Sequence, residues 1–548
     1  MGPVHRTIVT SSPAAQQHFD AGLAAAYGFN YEEAIYEFIA ALHADPKCAM
    51  CNWGFAYAAG PNINAFDKQF PGAYETAQRA ESLATDPVEK ALAHALVARL
   101  SPAVMADFET RKKINVAYLA EMRNVAALAP DDADVLTLLS DALMTATPPY
   151  MPGRDREGNS LFPEITESET VLERALAKSP EHIGAIHYYI HAVDGGPRTE
   201  KAVPYAKRMA VLAPAAGHLV HMPSHLYLKL GRYAEAEDSN VAAIAADKAY
   251  FTKTPHGGGY DMFTMHPVMY LWYVRLWAGE QKGTAETTAT LVELFKKMAM
   301  MDPNAMDQAV AMRATAAARF GEWDTALTLD PAGPASTITV GLAKGLALVA
   351  KGKLDDAEKQ VAVILTPIPD PAAPPTGDAH AAHDMPMPGA QPAAATQDKK
   401  PEPAPMPMMG PPPIMIEKRN AFMKAVAGSF AAQLRGAIAN ARGDTEKAAT
   451  ELRTAVQLED EIPDMGEMSD IATPARHRLG AVLLATGRAA EAADVYRAEL
   501  KRHPHNGWSL FGLAKALDAL KDPKAAATWA EFNEAWKRAD VKLTSTVL

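Results

Sequence analysis

Small and aromatic residues recur along this chain at fixed offsets within a unit of 34 residues. With Ala15 as position 1 of the first unit, positions 8, 17, 20, 24, 27 and 32 hold Gly22, Tyr31, Ala34, Phe38, Ala41 and Pro46. Small residues let two helices approach closely, aromatic side chains fill the space between them, and proline ends the second helix. The pattern therefore predicts one pair of packed helices for each unit.

The same spacing returns through most of the chain. Pro180 and Pro214 lie one full unit apart. Glycine occupies position 15 of further units at Gly231, Gly279, Gly321, Gly352, Gly443 and Gly487. Glycine, aromatic, alanine and proline at these offsets of a 34-residue unit are the signature of the tetratricopeptide repeat. We therefore predict an all-α fold, a right-handed solenoid of helix-turn-helix repeats.

The repeat pattern stops in one proline-rich stretch. Residues 367–413 contain 15 prolines among 47 residues, and such a segment cannot propagate a helix or pack a core. We predict an N-terminal extension over 1–14, an N-terminal array over 15–365, a disordered linker rich in Pro, Ala, Met and His over 366–415, and a C-terminal array over 416–548.

Composition and charge narrow the choice of partners. The chain is 48% hydrophobic but 7% aromatic, which suits closely packed helices better than sheets. A formal net charge of -12 leaves no sequence-wide basic field for phosphates, so we expect no nucleic-acid partner. No run of apolar residues approaches the roughly 18 that a membrane span requires. We therefore expect no membrane span.

The first ten residues are relevant to the cellular location of the protein. MGPVHRTIVT has neither the basic nor the apolar region of a signal peptide. Met1-Gly2 followed directly by folded-looking sequence is also what remains when a signal peptide is removed. We expect a periplasmic or secreted protein whose signal peptide is absent from this sequence, and a cytoplasmic location is left open.

Histidines concentrate in one part of the chain. Seven of the 17 histidines lie between residues 187 and 266. Positions 2, 5 and 9 of three consecutive units contain His187, His191, His218, His221, His225, His266 and Met269. These positions are three and four residues apart, so they form one stripe on the first helix of each repeat. In the tetratricopeptide fold this stripe faces the concave groove.

Side chains from adjacent repeats can converge in that groove because neighbouring helices pack about 8–10 Å apart. Neutral imidazole is the commonest protein ligand for metals. The soft thioether of Met269 favours copper, so we predict a transition-metal site for copper first and zinc or iron second. His256, in a glycine-rich loop, is a further candidate that could close over the groove.

Two other interpretations of the same residues stay open. The metal could serve a metal-dependent oxidoreductase or hydrolase, with Asp194 and Tyr273 as assisting catalytic groups; whether the chain is an enzyme is not decided. Without a metal, the histidines would contact a small molecule or a peptide in the concave groove, or they would be structural. The chain would then be a docking scaffold and not a metal-binding protein. Asp194 could equally ligate, orient an imidazole, or cap a turn.

Pro223 interrupts the predicted helix that carries the second histidine pair, since it stands at position 7 of its unit. A proline there removes a backbone hydrogen bond and clashes with the preceding turn. The helix therefore kinks at Pro223 or begins there. In the second case His218 and His221 lie on the segment that enters the helix.

Cys48 and Cys51 are the only cysteines, in a CxxC pattern at the predicted start of a helix. Two ligands are too few for a structural zinc site. A helix N-terminus lowers the pKa of a thiol and eases oxidation, so a disulfide is the leading prediction. A redox role and a metal-delivery role are the alternatives.

Several whole motifs resemble those of a group of bacterial tetratricopeptide-repeat proteins, many of them exported. The motifs are CAMCNWG at 48–54, GPNIN at 60–64, HYYIHAVD at 187–194, GHLVHMPSHLYLKLGRY at 217–233 and HPHNGWSLFGL at 503–513. The resemblance implies that the histidines of the third and fourth motifs are site residues: His187, His191, His218, His221 and His225. This chain departs from the group at Met265-His266-Pro267 and Met269, where the group has Pro-His-Asn and a second histidine.

Overall fold

The computed structural model describes residues 2–63, 69–105, 107–147, 153–155, 158–254, 261–300, 302, 304–368, 413–462 and 471–547. Over these ranges the chain is α-helical, with a short 3-10 helix at Pro102–Met105 and an isolated β-bridge between Arg154 and Ser160. The predicted all-α fold of helix-turn-helix repeats is confirmed. Within the same ranges, no helix combines the length and hydropathy needed to cross a membrane.

Two compact units make up the structure. Unit 1 contains Met1–Pro223 and Ala245–Asp261, and unit 2 contains Ser224–Ile244, Met262–Pro371 and Pro413–Leu548. The first eleven helices belong to unit 1: α1 (Pro13–Tyr27), α2 (Tyr31–Ala44), α3 (Ala49–Ala58), α4 (Ala73–Leu83), α5 (Pro87–Arg99), α6 (Phe108–Leu128), α7 (Ala133–Ala146), α8 (Pro163–Lys178), α9 (Ile183–Val193), α10 (Thr199–Leu212) and α11 (Gly217–His221).

The remaining helices follow in chain order. They are α12 (Pro223–Lys229), α13 (Tyr233–Lys253), α14 (Asp261–Ala278), α15 (Gln281–Met298), α16 (Ala305–Phe320), α17 (Trp323–Thr328), α18 (Pro334–Ala350), α19 (Leu354–Ile364), α20 (Pro413–Ala441), α21 (Thr445–Asp460), α22 (Ala475–Ala485), α23 (Ala489–Arg502), α24 (Gly507–Ala519) and α25 (Ala525–Ala535). Helix α12 begins at Pro223, the second of the two predicted outcomes.

Short polar side chains begin several of these helices. Ser12 accepts a hydrogen bond from the amide of Ala15 at the start of α1, and Asn30 accepts one from Glu33 at the start of α2. Such caps satisfy amides that have no partner inside the helix. Pro13 at the first position of α1 already has the backbone angle that a helix requires.

Small residues allow the helices of a pair to touch, as the spacing predicts. A Cβ on Gly22 would lie 2.8 Å from the ring of Phe38, and a Cβ on Gly54 would overlap the same ring. Phe38 is fully buried between these two glycines. In the first repeat, an aromatic side chain therefore fills the space between the helices, and small residues allow the close contact, as predicted.

Position 15 of the frame is the turn between the two helices of a repeat. The six glycines predicted there all have a positive φ, between 68° and 84°. Only glycine adopts this left-handed conformation without steric cost. The repeat frame read from the sequence therefore matches the turns of the structure at Gly231, Gly279, Gly321, Gly352, Gly443 and Gly487.

Helices on both sides of the proline-rich segment share one core in unit 2. Ala343 and Leu346 of α18 and Phe430 and Leu434 of α20 belong to the same buried cluster. A Cβ on Gly345 would overlap Leu434. Unit 2 thus contains helices from both predicted arrays, 15–365 and 416–548, and most of the 366–415 linker, residues 369–412, lies outside the described residues.

A buried ion pair crosses the core of unit 1. Arg99 on α5 and Asp141 on α7 are 2.6 Å apart, with side chains 2% and 0% exposed. The guanidinium carbon of Arg99 lies 4.6 Å from the ring centroid of Tyr118 on α6. Each charge therefore depends on its partner, because neither has access to water.

Candidate metal centre

Three of the predicted histidines converge in unit 1. His187 and His191 lie one turn apart on α9, and His218 lies on α11. The Nε2 atom of His187 is 3.2 Å from Nε2 of His191 and 3.1 Å from Nε2 of His218. One nitrogen from each ring lies within 4.8 Å of the other two, and all three residues are buried.

These separations fit a shared ion. Two nitrogens about 2.05 Å from one metal are about 2.9 Å apart at a right angle and about 3.3 Å apart at the tetrahedral angle. The two Nε2 separations at His187, 3.1 and 3.2 Å, fall between these limits. A neutral imidazole nitrogen has one lone pair, which accepts only one well-aligned hydrogen bond. Two rings approach Nε2 of His187, and hydrogen bonding alone accounts for only one of them.

The backbone of α1 orients the central ring. Nδ1 of His187 lies 2.6 Å from the carbonyl oxygen of Tyr27. A carbonyl only accepts, so Nδ1 carries the hydrogen and the lone pair is at Nε2. Metal-binding histidines almost always donate their other N–H in this way. Gly184, one turn before His187 on α9, leaves room for the Tyr27 ring, because a Cβ there would lie 2.7 Å from it.

Phe29 forms an apolar wall beside the three rings, and sequence reasoning missed it. Its ring centroid lies 4.3, 5.6 and 5.4 Å from those of His187, His191 and His218. Phe29 stands at position 15 of the first repeat and has a φ of 56°, a conformation that is strained for a bulky residue. The sequence did contain a signal for this residue, because Phe29 stands at a position that is glycine in other repeats.

Asp247 of α13 places a buried carboxylate next to the chain that leads into His218. A Cβ on Gly217, the residue before His218, would overlap this carboxylate. Asp247 is 3% exposed, and no described residue forms a hydrogen bond with either oxygen. Burial raises the pKa of Asp247 to about 7. Sequence reasoning missed this residue, which lies 29 positions beyond His218.

The raised pKa of Asp247 predicts a pH dependence of stability in the metal-free protein. Between the unfolded value near 4 and the folded value of about 7, the folded state binds the extra proton, so stability falls as pH rises. Asp247→Asn removes this loss. We expect the stability of the variant relative to wild type to rise by about 3 kcal/mol between pH 5 and pH 8, as measured by urea unfolding followed by circular dichroism.

Asp131→Asn is the matched control for this experiment. Its carboxylate is 69% exposed in the same unit, so its effect should be within about 0.5 kcal/mol at both pH values. A constant difference between wild type and Asp247→Asn from pH 5 to pH 8 would show that Asp247 titrates normally.

The other predicted ligands are divided between the units. His221, the last residue of α11 in unit 1, is buried, and its ring centroid lies 6.1 Å from that of His218. In unit 2, the rings of His225 on α12 and His266 on α14 are 5.7 Å apart, and Tyr270 contacts both. The Tyr270 hydroxyl is 3.3 Å from Nδ1 of His225.

The remaining candidates have different surroundings. Met269 is half-buried on α14, and Tyr273 on the same helix is buried, with its ring 6.3 Å from that of Trp277. Asp194 is the C-cap of α9, and its backbone carbonyl accepts a hydrogen bond from Arg154. His256 lies outside the described residues.

Cys48 and Cys51 are joined by a disulfide at the start of α3. Cys48 is the N-cap residue, and the amide of Cys51 points to its sulfur at 3.0 Å. Both residues are buried. In this state neither sulfur is a free thiolate, the form that binds metals or attacks disulfides.

Comparison with known proteins adds little to these observations. No protein-family model matches the chain, and no curated protein sequence matches it. The crystal structure of the TPR domain of P58(IPK) aligns with 92% of this chain and 98% of its own length, at 11% identity and a TM-score of 0.23. This similarity is too weak to support an inference about the chain. The repeat assignment rests on the helices and on the turn glycines of the chain itself.

Proposed function

We propose that unit 1 binds one transition-metal ion through Nε2 of His187, His191 and His218. The observation that carries the proposal is the approach of two buried imidazole nitrogens, at 3.1 and 3.2 Å, to the lone pair of His187. A cation satisfies all three lone pairs at once. The function is metal binding, and the repeat fold holds helices α9 and α11 together for it.

The surroundings of the three rings support a bound cation. Phe29 covers the rings with an apolar face, and exclusion of water strengthens the attraction between an ion and its ligands. The carboxylate of Asp247 brings a negative charge that no described residue pairs with. A divalent ion nearby would offset that charge and lower the pKa of Asp247.

Copper is the first choice of metal, with zinc or iron second. Imidazole ligands suit all three, and divalent affinities increase from iron to copper and fall again at zinc. Three protein ligands also leave one coordination position for water or for a small molecule.

Metal titration tests the binding function. Full-length protein treated with a chelator and dialysed would be titrated with copper(II), zinc(II) and, without oxygen, iron(II), using isothermal calorimetry. We expect one high-affinity equivalent per chain, strongest for copper. If none of the three ions binds below about millimolar concentration, equivalent to roughly 4 kcal/mol, the proposal is wrong and the docking-scaffold alternative is favoured.

We further propose that the protein works outside the cytoplasm, in the periplasm or after secretion. The disulfide between Cys48 and Cys51 supports this, because disulfides persist in oxidising compartments. Alkylation of protein taken directly from its source cells tests the idea. The cysteines should resist alkylation until a reductant is added, whereas two reactive thiols at the outset would contradict it.

A further inference from the structure

Three ring side chains converge at a second place in the molecule, inside unit 2. His225 lies on α12, and His266 and Tyr270 lie on α14. Their ring centroids are 4.7 Å apart for His225 and Tyr270, 5.4 Å for His266 and Tyr270, and 5.7 Å for the two histidines. Residues four apart on a helix share one face, so His266 and Tyr270 can both contact the ring from α12.

These distances resemble those among the three histidines of unit 1. The ring of His187 lies 4.9 Å from each of the rings of His191 and His218, and the outer two rings are 6.4 Å apart. In unit 2, one nitrogen of His225 and one of His266 lie within 4.8 Å of each other. Two ligands of one ion are at most about 4.1 Å apart, so both imidazoles can reach a shared ion with little movement.

The hydroxyl oxygen of Tyr270 supplies a third ligand atom. It lies 3.3 Å from Nδ1 of His225. Ordinary hydrogen bonds of side chains are about 2.5–3.2 Å long, so this contact is long for one. An oxygen and a nitrogen that each lie about 2.05 Å from one ion are about 3.3 Å apart at the tetrahedral angle. The separation therefore fits two ligands of one cation better than it fits a single hydrogen bond.

The three side chains differ in their access to water. Tyr270 is 0% exposed and His225 is 1% exposed, whereas His266 is half-buried. Exclusion of water from the inner two ligands strengthens their attraction to a cation. The partly exposed ring of His266 gives an ion a route from solvent, and its competition with water makes binding weaker than at the fully buried site of unit 1.

We propose that unit 2 binds a second transition-metal ion through the imidazoles of His225 and His266 and the oxygen of Tyr270. The ion replaces the hydroxyl proton, which passes to water, so that the tyrosine binds as a phenolate. The phenolate also offsets one charge of the ion, which lowers the cost of burying it. Imidazole suits copper and iron, and an anionic oxygen favours their more highly charged forms, copper(II) and iron(III).

Copper(II) titration of the full-length His187→Ala variant isolates this second site, because the variant lacks the central ligand of unit 1. We expect one saturable equivalent, accompanied by an intense visible absorption band from charge transfer between phenolate and copper. Imidazole ligands alone give only weak visible absorption. Wild type should show the band with its second equivalent. If unit 1 binds no ion, the band should appear with the first equivalent instead, so the two sites fail separately.

Substitutions at the second site are then added to His187→Ala. Tyr270→Phe keeps the buried ring and removes only the oxygen, so it should abolish the band and weaken copper binding at least about tenfold. His225→Ala should weaken binding at least as much. Tyr270→Phe also decides the matter if His225→Ala does not fold, since it preserves the packing of unit 2.

Tyr496→Phe is the matched control, because Tyr496 is another buried tyrosine of unit 2 and its hydroxyl lies 2.9 Å from that of Thr546. It should keep both the band and the affinity. Circular dichroism checks that each variant is folded. No copper binding by His187→Ala, binding without the band, or a band of unchanged intensity after Tyr270→Phe would each overturn the second site.

Discussion

Replacing His187 with alanine is expected to lower the affinity for the first equivalent of copper(II) or zinc(II) by about 100-fold or more. Nε2 of His187 is the atom that both other rings approach, and the carbonyl of Tyr27 fixes its lone pair towards them. Loss of an outer partner alone often weakens metal binding 10–100-fold, and loss of a ligand removes more. Competition with a coloured chelator measures the change.

An exposed histidine of the same unit provides the control. His94 is 57% exposed and pairs with Glu81, so His94→Ala should bind the first equivalent as wild type does. Circular dichroism checks that both variants are folded. Equal affinity in wild type and His187→Ala would remove the three-histidine site from consideration.

Replacing Asp141 with alanine is expected to destabilise unit 1 by about 3–5 kcal/mol. The substitution leaves the guanidinium of Arg99 buried without its partner at 2.6 Å, and the side chain of Arg99 is only 2% exposed. For a unit of this size, such a loss lowers the melting temperature by about 6–20 °C. Thermal unfolding followed by circular dichroism measures it.

The double variant Arg99→Met with Asp141→Leu separates the loss of the pair from the loss of packing. Apolar residues of similar volume often replace a buried ion pair without loss of stability. The double variant should therefore be more stable than Asp141→Ala. If Asp141→Ala melts within about 2 °C of wild type, equivalent to less than about 1 kcal/mol, water reaches the pair and it is not buried as described.

The repeat frame was readable from the sequence because each of its positions has a local physical requirement. Gly231 and Gly487 stand where a turn needs a positive φ, and both have one. Gly22 stands where a neighbouring helix brings Phe38 within contact. Such requirements act within one or two repeats, so spacing alone reveals them.

The histidine site was readable only in part. His187 and His191 are four residues apart on one helix, and α-helical geometry places them on one face. His218 joins them from α11, a short helix that precedes Pro223. Phe29 and Asp247 come from a turn and a helix far away in the chain, and only the packing of repeats brings them near the site.

The sequence did not reveal where the compact units begin and end. The proline-rich segment suggested a boundary between arrays, yet α18 before it and α20 after it share a core. Helix pairs in a repeat fold bury apolar residues against whichever pair is adjacent. The sequence shows where helices stop, but the pairing of Leu346 with a core that includes Leu434 depends on tertiary contacts.

The position of a bound ion shows directly whether the three histidines form one metal site. Crystals of the full-length protein grown with one equivalent of zinc(II) would be measured at the zinc absorption edge, and an anomalous difference map calculated. We expect the strongest peak of the map about 2.0–2.1 Å from Nε2 of His187, His191 and His218. A strongest peak at other residues, with these three rings not bound to any ion, would contradict it.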